Sequence, residues 1–368
     1  MNNHFFEKTE FSDKILDWYD ENARALPWRS LSNVQANAYH VWLSEIMLQQ
    51  TTVATVGPYF KKFLKLWPTV EHLANSPLDD VLSAWAGLGY YARARNLHKC
   101  AVAICHEYGG VFPTTEEALL TLPGIGAYTS AAIAAIAYGQ AAVVIDGNIE
   151  RIISRVFRIS EQLPAARKKI REGATVVSPE KRPGDYAQAL MDIGATICTP
   201  KKPLCHLCPV SQFCSAFDAG DAETYPVKAP KKIKPTRRAA ILWIDGGAGD
   251  ILMRRREEKG LLGGMMEFPS TEWVVETYDY QAALKDVLSG LGLGKLKVPE
   301  NSVGSIKHTF THFHLVFSIY SLTIPEKTRS TSNEARWINP ADFTSIAMPT
   351  LMSKVAKAIL ADQKTLAF

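Results

Sequence analysis

Two acidic residues, far apart in the chain, have neighbours that suit acid–base chemistry. Glu45 lies in AYHVWLSEIMLQQTTVATV, and on a helix it shares its face with Trp42 and Leu48. Burial among such side chains raises the pKa of a carboxyl group, because it disfavours the charged form, and a protonated carboxyl suits a general acid. Asp146 ends the apolar run of VVIDGNIERIISR, where we expect it to cap the next helix and to receive hydrogen bonds that keep it ionised.

One protonated and one ionised carboxyl form the pair that cleavage of a glycosidic bond requires. One acid protonates the leaving group, and the other stabilises the oxocarbenium-like sugar. An N-glycosidic bond has the same requirement. The alternatives are structural: Glu45 as an ordinary surface residue, which its apolar helix face disfavours, and Asp146 as a helix cap with no further role.

The stretch LPGIGAYTSAAIAAIAYG predicts a tight turn at Gly124 and Gly126, followed by an Ala-rich helix. The free backbone N–H groups of such a turn and of the helix N-terminus point outward together and favour an anion such as a phosphate. The alternative is an ordinary helix–turn–helix with a glycine corner.

Four of the six cysteines are concentrated in CTPKKPLCHLCPVSQFC, namely Cys198, Cys205, Cys208 and Cys214. The segment has one CxxC pair, whereas structural zinc sites usually combine two. Four thiolates can hold a [4Fe–4S] cluster as well as zinc, so the single CxxC pair is what favours iron–sulfur here. A reducing cytosol disfavours disulfides.

A chain of 368 residues is longer than one typical domain, and the pattern of its apolar and polar residues changes once along the sequence. We predict a helical domain over residues 1–217, a linker over 218–237 rich in Lys, Pro and small residues, and an α+β domain over 238–368 with alternating apolar strands. No apolar run reaches the roughly 18–20 residues of a membrane span, and the N-terminus does not resemble a signal peptide, so we expect a cytoplasmic protein. The net charge of +4 permits nucleic-acid binding without demonstrating it.

Six features of residues 24–214 resemble the helix-hairpin-helix DNA glycosylases, and in particular the MutY-type adenine DNA glycosylases: LPWR, SEIMLQQTTV, GLGYYARARNLH, LPGIGAYTS, DGNIERIISR and the cysteine array. The resemblance implies a monomeric, base-excision repair enzyme that flips adenine out of duplex DNA opposite 8-oxoguanine or guanine and hydrolyses its glycosidic bond. Glu45 would protonate adenine N7, Asp146 would stabilise the sugar, and Asn148 would support Asp146. The four cysteines would hold a [4Fe–4S] cluster.

The same resemblance assigns further residues. Tyr128 stands where the related glycosylase-lyases have a Lys that forms a Schiff base, which implies an enzyme with little lyase activity. Gly124 and Gly126 would bind the DNA backbone. The adenine pocket would be lined by Arg24, Leu26, Trp28, Gln188 and Met191. The residues that enter the base stack around 8-oxoguanine would be Gln49, Gln50 and Tyr90.

The second domain resembles, more loosely, the Nudix-like domain of the same glycosylases, through GLLGGMMEFP and HTFTHFHL. Its candidate helix YQAALKDVLSGLGLG lacks the acidic cluster that holds Mg²⁺ in a Nudix hydrolase, so we expect the fold without that chemistry. The Phe-Ser-His loop that reads 8-oxoguanine in the family is Phe310, Thr311 and His312 here.

Three other functions are open at this stage. A thymine or oxidised-pyrimidine glycosylase shares the hairpin and the cluster, but LQQTTV and the second domain disfavour it. A non-catalytic iron–sulfur DNA-binding or redox-sensing module would not need Glu45 in an apolar setting. A Nudix hydrolase would need the acidic cluster that the second domain lacks.

Overall fold

The structure is a computed structural model that describes residues 8–30, 34–230, 233–276, 279–325 and 335–365. The chain divides into two compact units. Unit 1 is Met1–Asn75 with Asn96–Lys231, and unit 2 is Ser76–Arg95 with Lys232–Phe368. The units differ from the predicted domains mainly in the segment Ser76–Arg95. Lys231 and Lys232 of the predicted linker lie outside the described residues.

The described residues between 8 and 218 are mainly helical, as the sequence predicts, and α-helices also occur near the end of the chain. In chain order, the described α-helices are α1 (Lys8–Asn22), α2 (Ala38–Leu48), α3 (Val53–Leu66), α4 (Val70–Ala74), α5 (Leu78–Trp85), α6 (Ala92–Tyr108), α7 (Glu116–Leu120), α8 (Ala127–Tyr138), α9 (Gly147–Val156), α10 (Arg167–Val177), α11 (Pro183–Thr196), α12 (Ser215–Asp218), α13 (Tyr280–Gly290) and α14 (Thr350–Thr365). Among the described residues, none of these helices combines the length and the apolar character that crossing a membrane requires.

Polar side chains fix where several helices of unit 1 begin. Asn37 caps α2 by accepting hydrogen bonds from the backbone N–H of Tyr39 and His40, and Thr52 caps α3 in the same way at Thr55. Each cap satisfies N–H groups that have no partner inside the helix, and is typically worth about 1 kcal/mol. These caps fix the ends of the helices that carry the candidate site.

The Ala-rich helix α8 lies at the centre of unit 1 and packs against α2, α7 and α11. Ala131, Ala132 and Ala135 are buried in the core between these helices. Small side chains let the helix axes approach closely: a Cβ added at Gly184 of α11 would lie 2.6 Å from the carbonyl oxygen of Ala135. The C-terminal part of α8 therefore lies directly against the first turn of α11.

The segment predicted as a linker is only partly a linker. Ala222 and Tyr225 are buried and form a small apolar cluster with Ala216. Leu163 donates its N–H to the carbonyl oxygen of Val227 at 2.9 Å. The prediction of an unpacked segment from residue 218 onward is therefore wrong as far as residue 228, because single aromatic and aliphatic side chains there complete the core around the cysteine segment.

Unit 2 contains a mixed β-sheet, which confirms the α+β prediction. The described strands are β1 (Thr236–Asp245), β2 (Ile251–Arg255), β3 (Met266–Glu267), β4 (Gly304–Thr309), β5 (His314–Thr323) and β6 (Ala335–Ile338). The order in the sheet is β3-β2-β1-β5-β4, and β6 also pairs with β2. Strands β1 and β5 are parallel, with Thr236 opposite His314, and the other pairs are antiparallel.

Helices cover both faces of this sheet. Leu315, Phe317 and Ile319 point to the face that also buries Met352 and Val355 of α14. The opposite face carries a second core, to which α13 contributes its buried leucines. The alternation predicted for β5 is confirmed, because successive side chains of a strand point to opposite faces.

Candidate active site

Glu45 is buried in the middle of α2. Its side chain is 6% exposed, and Val41, Trp42 and Met47 of the same helix are buried around it. Burial raises the pKa of Glu45 to about 7, and the negative charge of Asp146 adds to the rise, whereas the hydrogen bond from Tyr128 opposes it. The carboxyl group therefore holds a proton close to neutral pH, as the sequence analysis expects of a general acid.

Tyr128, the second residue of α8, contacts Glu45 and interacts electrostatically with Asp146. Its hydroxyl group donates a short hydrogen bond to Oε2 of Glu45. Burial raises the pKa of Tyr128 well above its ordinary value, and the charges of Glu45 and Asp146 raise it further. The phenol therefore stays protonated and acts only as a hydrogen-bond donor or acceptor in this environment.

Asp146 is the N-cap of α9, as predicted. Its Oδ1 accepts hydrogen bonds from the backbone N–H of Asn148 at 2.9 Å and of Ile149 at 2.7 Å, and Oδ2 accepts one from Nδ2 of Asn148 at 2.8 Å. Burial nevertheless raises the pKa of Asp146 above its ordinary value, and these hydrogen bonds only oppose the rise. The hydrogen bonds predicted for the cap are present, but desolvation has the larger effect on the pKa of Asp146.

Arg151 and the close approach of α11 fix the position of Asn148, and through it the carboxylate of Asp146. Arg151 donates from Nη2 to Oδ1 of Asn148 at 3.0 Å and to the carbonyl oxygen of Gly194 at 2.7 Å. A Cβ added at Gly194 would lie 2.5 Å from Cβ of Asn148, so α11 can approach α9 only with glycine at this position. Arg151 also donates from Nε to the carbonyl oxygen of Cys198 at 2.7 Å.

These side chains line one open cavity of about 940 Å³ in unit 1. It contains the predicted residues Glu45, Tyr128, Asp146 and Asn148, together with the predicted DNA-contacting Gln49 and Gln50. A smaller compartment lies behind Glu45. Its lining includes all five residues predicted for the adenine pocket: Arg24, Leu26, Trp28, Gln188 and Met191.

Asp192 is a residue of this region that the sequence analysis missed. Its carboxylate is fully buried and accepts hydrogen bonds from Arg24 at 2.5 Å and from Arg29 at 2.6 Å and 2.8 Å. Burial raises the pKa of Asp192, but the bonds and charges of Arg29 and Arg24 outweigh burial and lower it. Asp192 follows Leu190 and Met191 on α11, so the argument from apolar helix neighbours that identified Glu45 could have found it.

The two hairpin glycines have different physical roles. Gly124 has a φ of +78°, and an added Cβ would lie 2.6 Å from Cβ of Asn96, so the turn itself requires glycine there. Gly126 is the N-cap of α8 with no side-chain cap, and an added Cβ would meet nothing within 4 Å. The first N–H groups of α8 therefore begin beside open space, which suits an anion.

Two of the three predicted stacking residues share an unusual backbone conformation. Gln50 has a φ of +63° and Tyr90 a φ of +47°, in the left-handed region that non-glycine residues seldom occupy. Such conformations are concentrated at functional sites. Gln49 follows the last residue of α2 and donates from Nε2 to Oγ1 of Thr129 at 3.5 Å. Tyr90 belongs to unit 2 and is 46% exposed.

The predicted Phe310, Thr311 and His312 form the tight turn between β4 and β5 in unit 2. Phe310 stacks on Trp273, with ring centroids 5.7 Å apart, whereas Thr311 and His312 are exposed. The hydroxyl group of Tyr90 lies 2.5 Å from Oγ1 of Thr311. The structure therefore brings together two residues that the resemblance assigned separately to 8-oxoguanine.

The four cysteines of residues 198–214 form one group of free thiols. Burial and the proximity of the other three thiols raise the pKa of Cys208 to about 12, an electrostatic cost that a bound metal centre would remove. Arg155 is fully buried and donates from Nη1 to Sγ of Cys198 at 3.1 Å, as expected beside a thiolate ligand. Among the described residues, no three His, Cys, Asp or Glu side chains are grouped closely enough to hold a single metal ion.

Three family profiles match the chain. Residues 43–179 match the HhH-GPD superfamily of base excision DNA repair proteins, residues 198–214 match the iron-sulfur binding domain of endonuclease III, and residues 239–358 match the NUDIX domain. The fold and the site therefore define a DNA glycosylase of the helix-hairpin-helix superfamily, with an iron–sulfur cluster and a Nudix-like second domain.

Curated relatives narrow the family. The chain is 35% identical to the adenine DNA glycosylase of Homo sapiens, over 97% of this chain and 75% of that protein. It is 33% identical to the adenine DNA glycosylase of Buchnera aphidicola subsp. Schizaphis graminum, over 94% of this chain and 97% of that protein. It also resembles the solved structure of a thermostable thymine-DNA glycosylase, with 32% identity and a TM-score of 0.52, over 58% of this chain and 97% of that one. The chain belongs to the adenine DNA glycosylases.

Proposed function

We propose that this enzyme hydrolyses the glycosidic bond of adenine paired with 8-oxoguanine or guanine in duplex DNA. The observation that supports it most directly is the pairing of acids in one cavity: Glu45, buried and protonated near neutral pH, lies with Asp146 beside Tyr128. We expect the enzyme to act as a monomer, since every proposed catalytic residue belongs to unit 1 of a single chain.

In the proposed mechanism Glu45 protonates the leaving adenine. Departure of the neutral base leaves a cationic, oxocarbenium-like sugar, which the carboxylate of Asp146 stabilises. The three hydrogen bonds from the start of α9 orient that carboxylate before the charge develops. Water then adds to the sugar and gives up a proton to the Glu45 carboxylate, which leaves an abasic site and free adenine.

Tyr128 has two proposed consequences for the reaction. Its hydrogen bond to Glu45 fixes the position from which the proton is delivered. A phenol cannot form a Schiff base with the sugar, so the reaction stops at the abasic site without cleaving the strand.

DNA binding in this proposal uses the open start of α8 for a backbone phosphate, beside Gly124 and Gly126. Gln49 and Gln50 line the same cavity as the two acids, where they would contact bases around the lesion. In unit 2, Tyr90 and Thr311 would together contact 8-oxoguanine.

The iron–sulfur cluster held by the four cysteines would supply structural rigidity when bound. Arg155 and Arg151 connect the cysteine segment to α9.

A single-turnover assay tests the catalytic part of the proposal. Duplexes carry A, T or C opposite 8-oxoguanine or guanine, and alkali converts each abasic site into a strand break. We expect breaks only at A. Glu45→Gln and Asp146→Asn should each lose nearly all excision while binding the duplex normally, because both carboxyl groups act in the transition state. Glu180→Gln, at an exposed glutamate, is the matched control. Near-normal excision by either active-site variant would contradict the mechanism.

Recognition of 8-oxoguanine is tested separately with Thr311→Ala. Loss of a contact to a base costs roughly 1–3 kcal/mol, so the preference for 8-oxoguanine over guanine opposite A should fall on the order of tenfold to a hundredfold. Ser305→Ala removes an exposed hydroxyl from β4 and should leave the preference unchanged. An unchanged preference in Thr311→Ala would exclude the Thr311 hydroxyl from lesion recognition.

A further inference from the structure

Unit 1 contains a second large cavity on the far side of the adenine compartment. This rear cavity has a volume of about 940 Å³, the same as the cavity that holds the two acids, which we call the front cavity. Ala25, Ser30, Ala36 and Ala137 line the rear cavity and neither of the other two spaces.

The adenine compartment lies between the two cavities and shares a wall with each. Glu45, Leu48, Val53 and Met191 line both the compartment and the front cavity. Five other side chains line both the compartment and the rear cavity, namely Leu26, Trp28, Arg29, Ile136 and Gln188. Arg24 lines all three spaces. The three spaces are therefore neighbours in unit 1, and the compartment lies between the other two.

A second opening matters because of how the substrate enters. A flipped nucleotide reaches its pocket from the DNA side and remains attached to the duplex through its sugar. After the glycosidic bond breaks, the abasic sugar and the duplex still close the front cavity. Free adenine can then leave before the DNA only if the compartment opens on another side.

We propose that the rear cavity is the exit through which the cleaved base leaves while the abasic DNA is still bound. This inference rests on the proposed function, because it takes the front cavity as the side from which the nucleotide enters. The passage would run between the compartment and the rear cavity past Leu26, Ile136 and Gln188, whose side chains are all partly exposed.

Several charged and polar groups of the rear cavity have partners of their own, which suits a passage better than a tight binding site. Arg182 forms ion pairs with Asp20 at 2.5 Å and with Asp185 at 2.8 Å. Gln35 donates from Nε2 to the carbonyl oxygen of Ala137 at 3.2 Å. The hydroxyl group of Tyr138 donates to the carbonyl oxygen of Phe112 at 2.9 Å. A neutral purine would therefore find few strong partners to hold it there.

Exit through the rear would make base release independent of DNA release. The enzyme could then keep its abasic product covered, since the affinity for DNA comes mainly from phosphate and base contacts and not from the free base. It would also prevent the cleaved adenine from rejoining the sugar in the closed front cavity.

The test separates bond cleavage from base release in one reaction. Protein in excess is mixed with a duplex that carries tritiated adenine opposite 8-oxoguanine. One series of samples is treated with alkali and reports bond cleavage. A second series passes through a membrane that retains protein with its DNA, so that radioactivity in the filtrate reports free adenine. For the wild-type protein, we expect tritium in the filtrate at the rate of bond cleavage, while the abasic strand stays on the membrane.

Two variants narrow the rear cavity without touching the compartment: Ala25→Trp and Ala36→Trp. Both should cleave at nearly the wild-type rate but release adenine on the order of tenfold more slowly, because product release is then limited by the obstructed passage. Ala165→Trp, at an exposed alanine away from the cavity, should behave as wild type. The exit is refuted if wild-type adenine leaves only together with the DNA, or if neither cavity variant slows its release. Failure of the proposed function is distinct, because no bond cleavage would be seen at all.

Discussion

The raised pKa of Glu45 implies that the ionised form of this buried residue destabilises the folded protein. Replacing Glu45 by glutamine should therefore make the protein more stable at a pH where Glu45 is ionised. The pKa rises from 4.5 to about 7, so the folded protein binds this proton more tightly than the unfolded chain does. The stability that the proton contributes is complete below pH 4.5 and is lost as the pH rises through about 7. At about 1.36 kcal/mol per pKa unit, the loss amounts to about 3 kcal/mol.

Glutamine cannot ionise, but it can still accept the hydrogen bond from Tyr128. Glu45→Gln should therefore gain stability relative to wild type as the pH rises, by about 2.5 kcal/mol between pH 5 and pH 8, because part of the loss has already occurred at pH 5. In a unit of this size that corresponds to a shift in relative Tm of roughly 6–10 °C. Variants that gain stability by losing an active-site charge are a known consequence of strained functional sites.

Thermal unfolding followed by circular dichroism at 222 nm, at pH 5 and at pH 8, measures this difference. Glu180→Gln should show the same Tm difference from wild type at both pH values, because its side chain is exposed. If Glu45→Gln likewise shows no pH-dependent gain, then Glu45 is not held protonated by burial, and its assignment as the general acid loses its physical basis.

Three further predictions follow from the site. The rate of excision should fall about tenfold per pH unit above pH 7, because Glu45 ionises there. The rate should also fall on the acid side, at a pH above the ordinary pKa of an aspartate, because burial raises the pKa of Asp146. A pH–rate profile under single-turnover conditions measures both effects. Tyr128→Lys should nick DNA without alkali and be trapped on DNA by borohydride, because an amine would then lie beside the sugar. An active variant that gives no trapped complex would show that residue 128 does not lie beside the sugar. Cys205→Ser should lose iron, acid-labile sulfide and the brown colour together, as measured by metal analysis and absorbance, and full iron content would exclude Cys205 as a ligand.

Patterns within short stretches of the sequence were sufficient to predict most of the helices and strands. The alternation of β5, the cap at Asp146 and the apolar face around Glu45 are each encoded within a few residues, because strand and helix periodicities decide which side chains share a face. The predicted linker was less successful. Tyr225 and Ala222 pack against residues that are close only in the folded chain, and no local signal shows this.

The sequence by itself determined the residue types that the chemistry needs: two carboxyl groups, a tyrosine in place of a lysine, a glycine hairpin and four cysteines at a characteristic spacing. It also placed Glu45 on an apolar helix face, and burial there is what raises its pKa. These properties depend on neighbours along the chain or on one turn of helix, so they can be read without a fold.

Only the tertiary structure decided how strongly each group is perturbed and what surrounds it. Asp146 keeps its predicted hydrogen bonds, yet its pKa is raised, because the desolvation of a carboxylate depends on all the elements packed around it. The buried ion pairs of Asp192 and the contact between Tyr90 and Thr311 join residues more than a hundred positions apart. The rear cavity likewise exists only where α1, α8 and α11 meet the segment that follows α1, because empty space is a property of packing and not of any stretch of sequence.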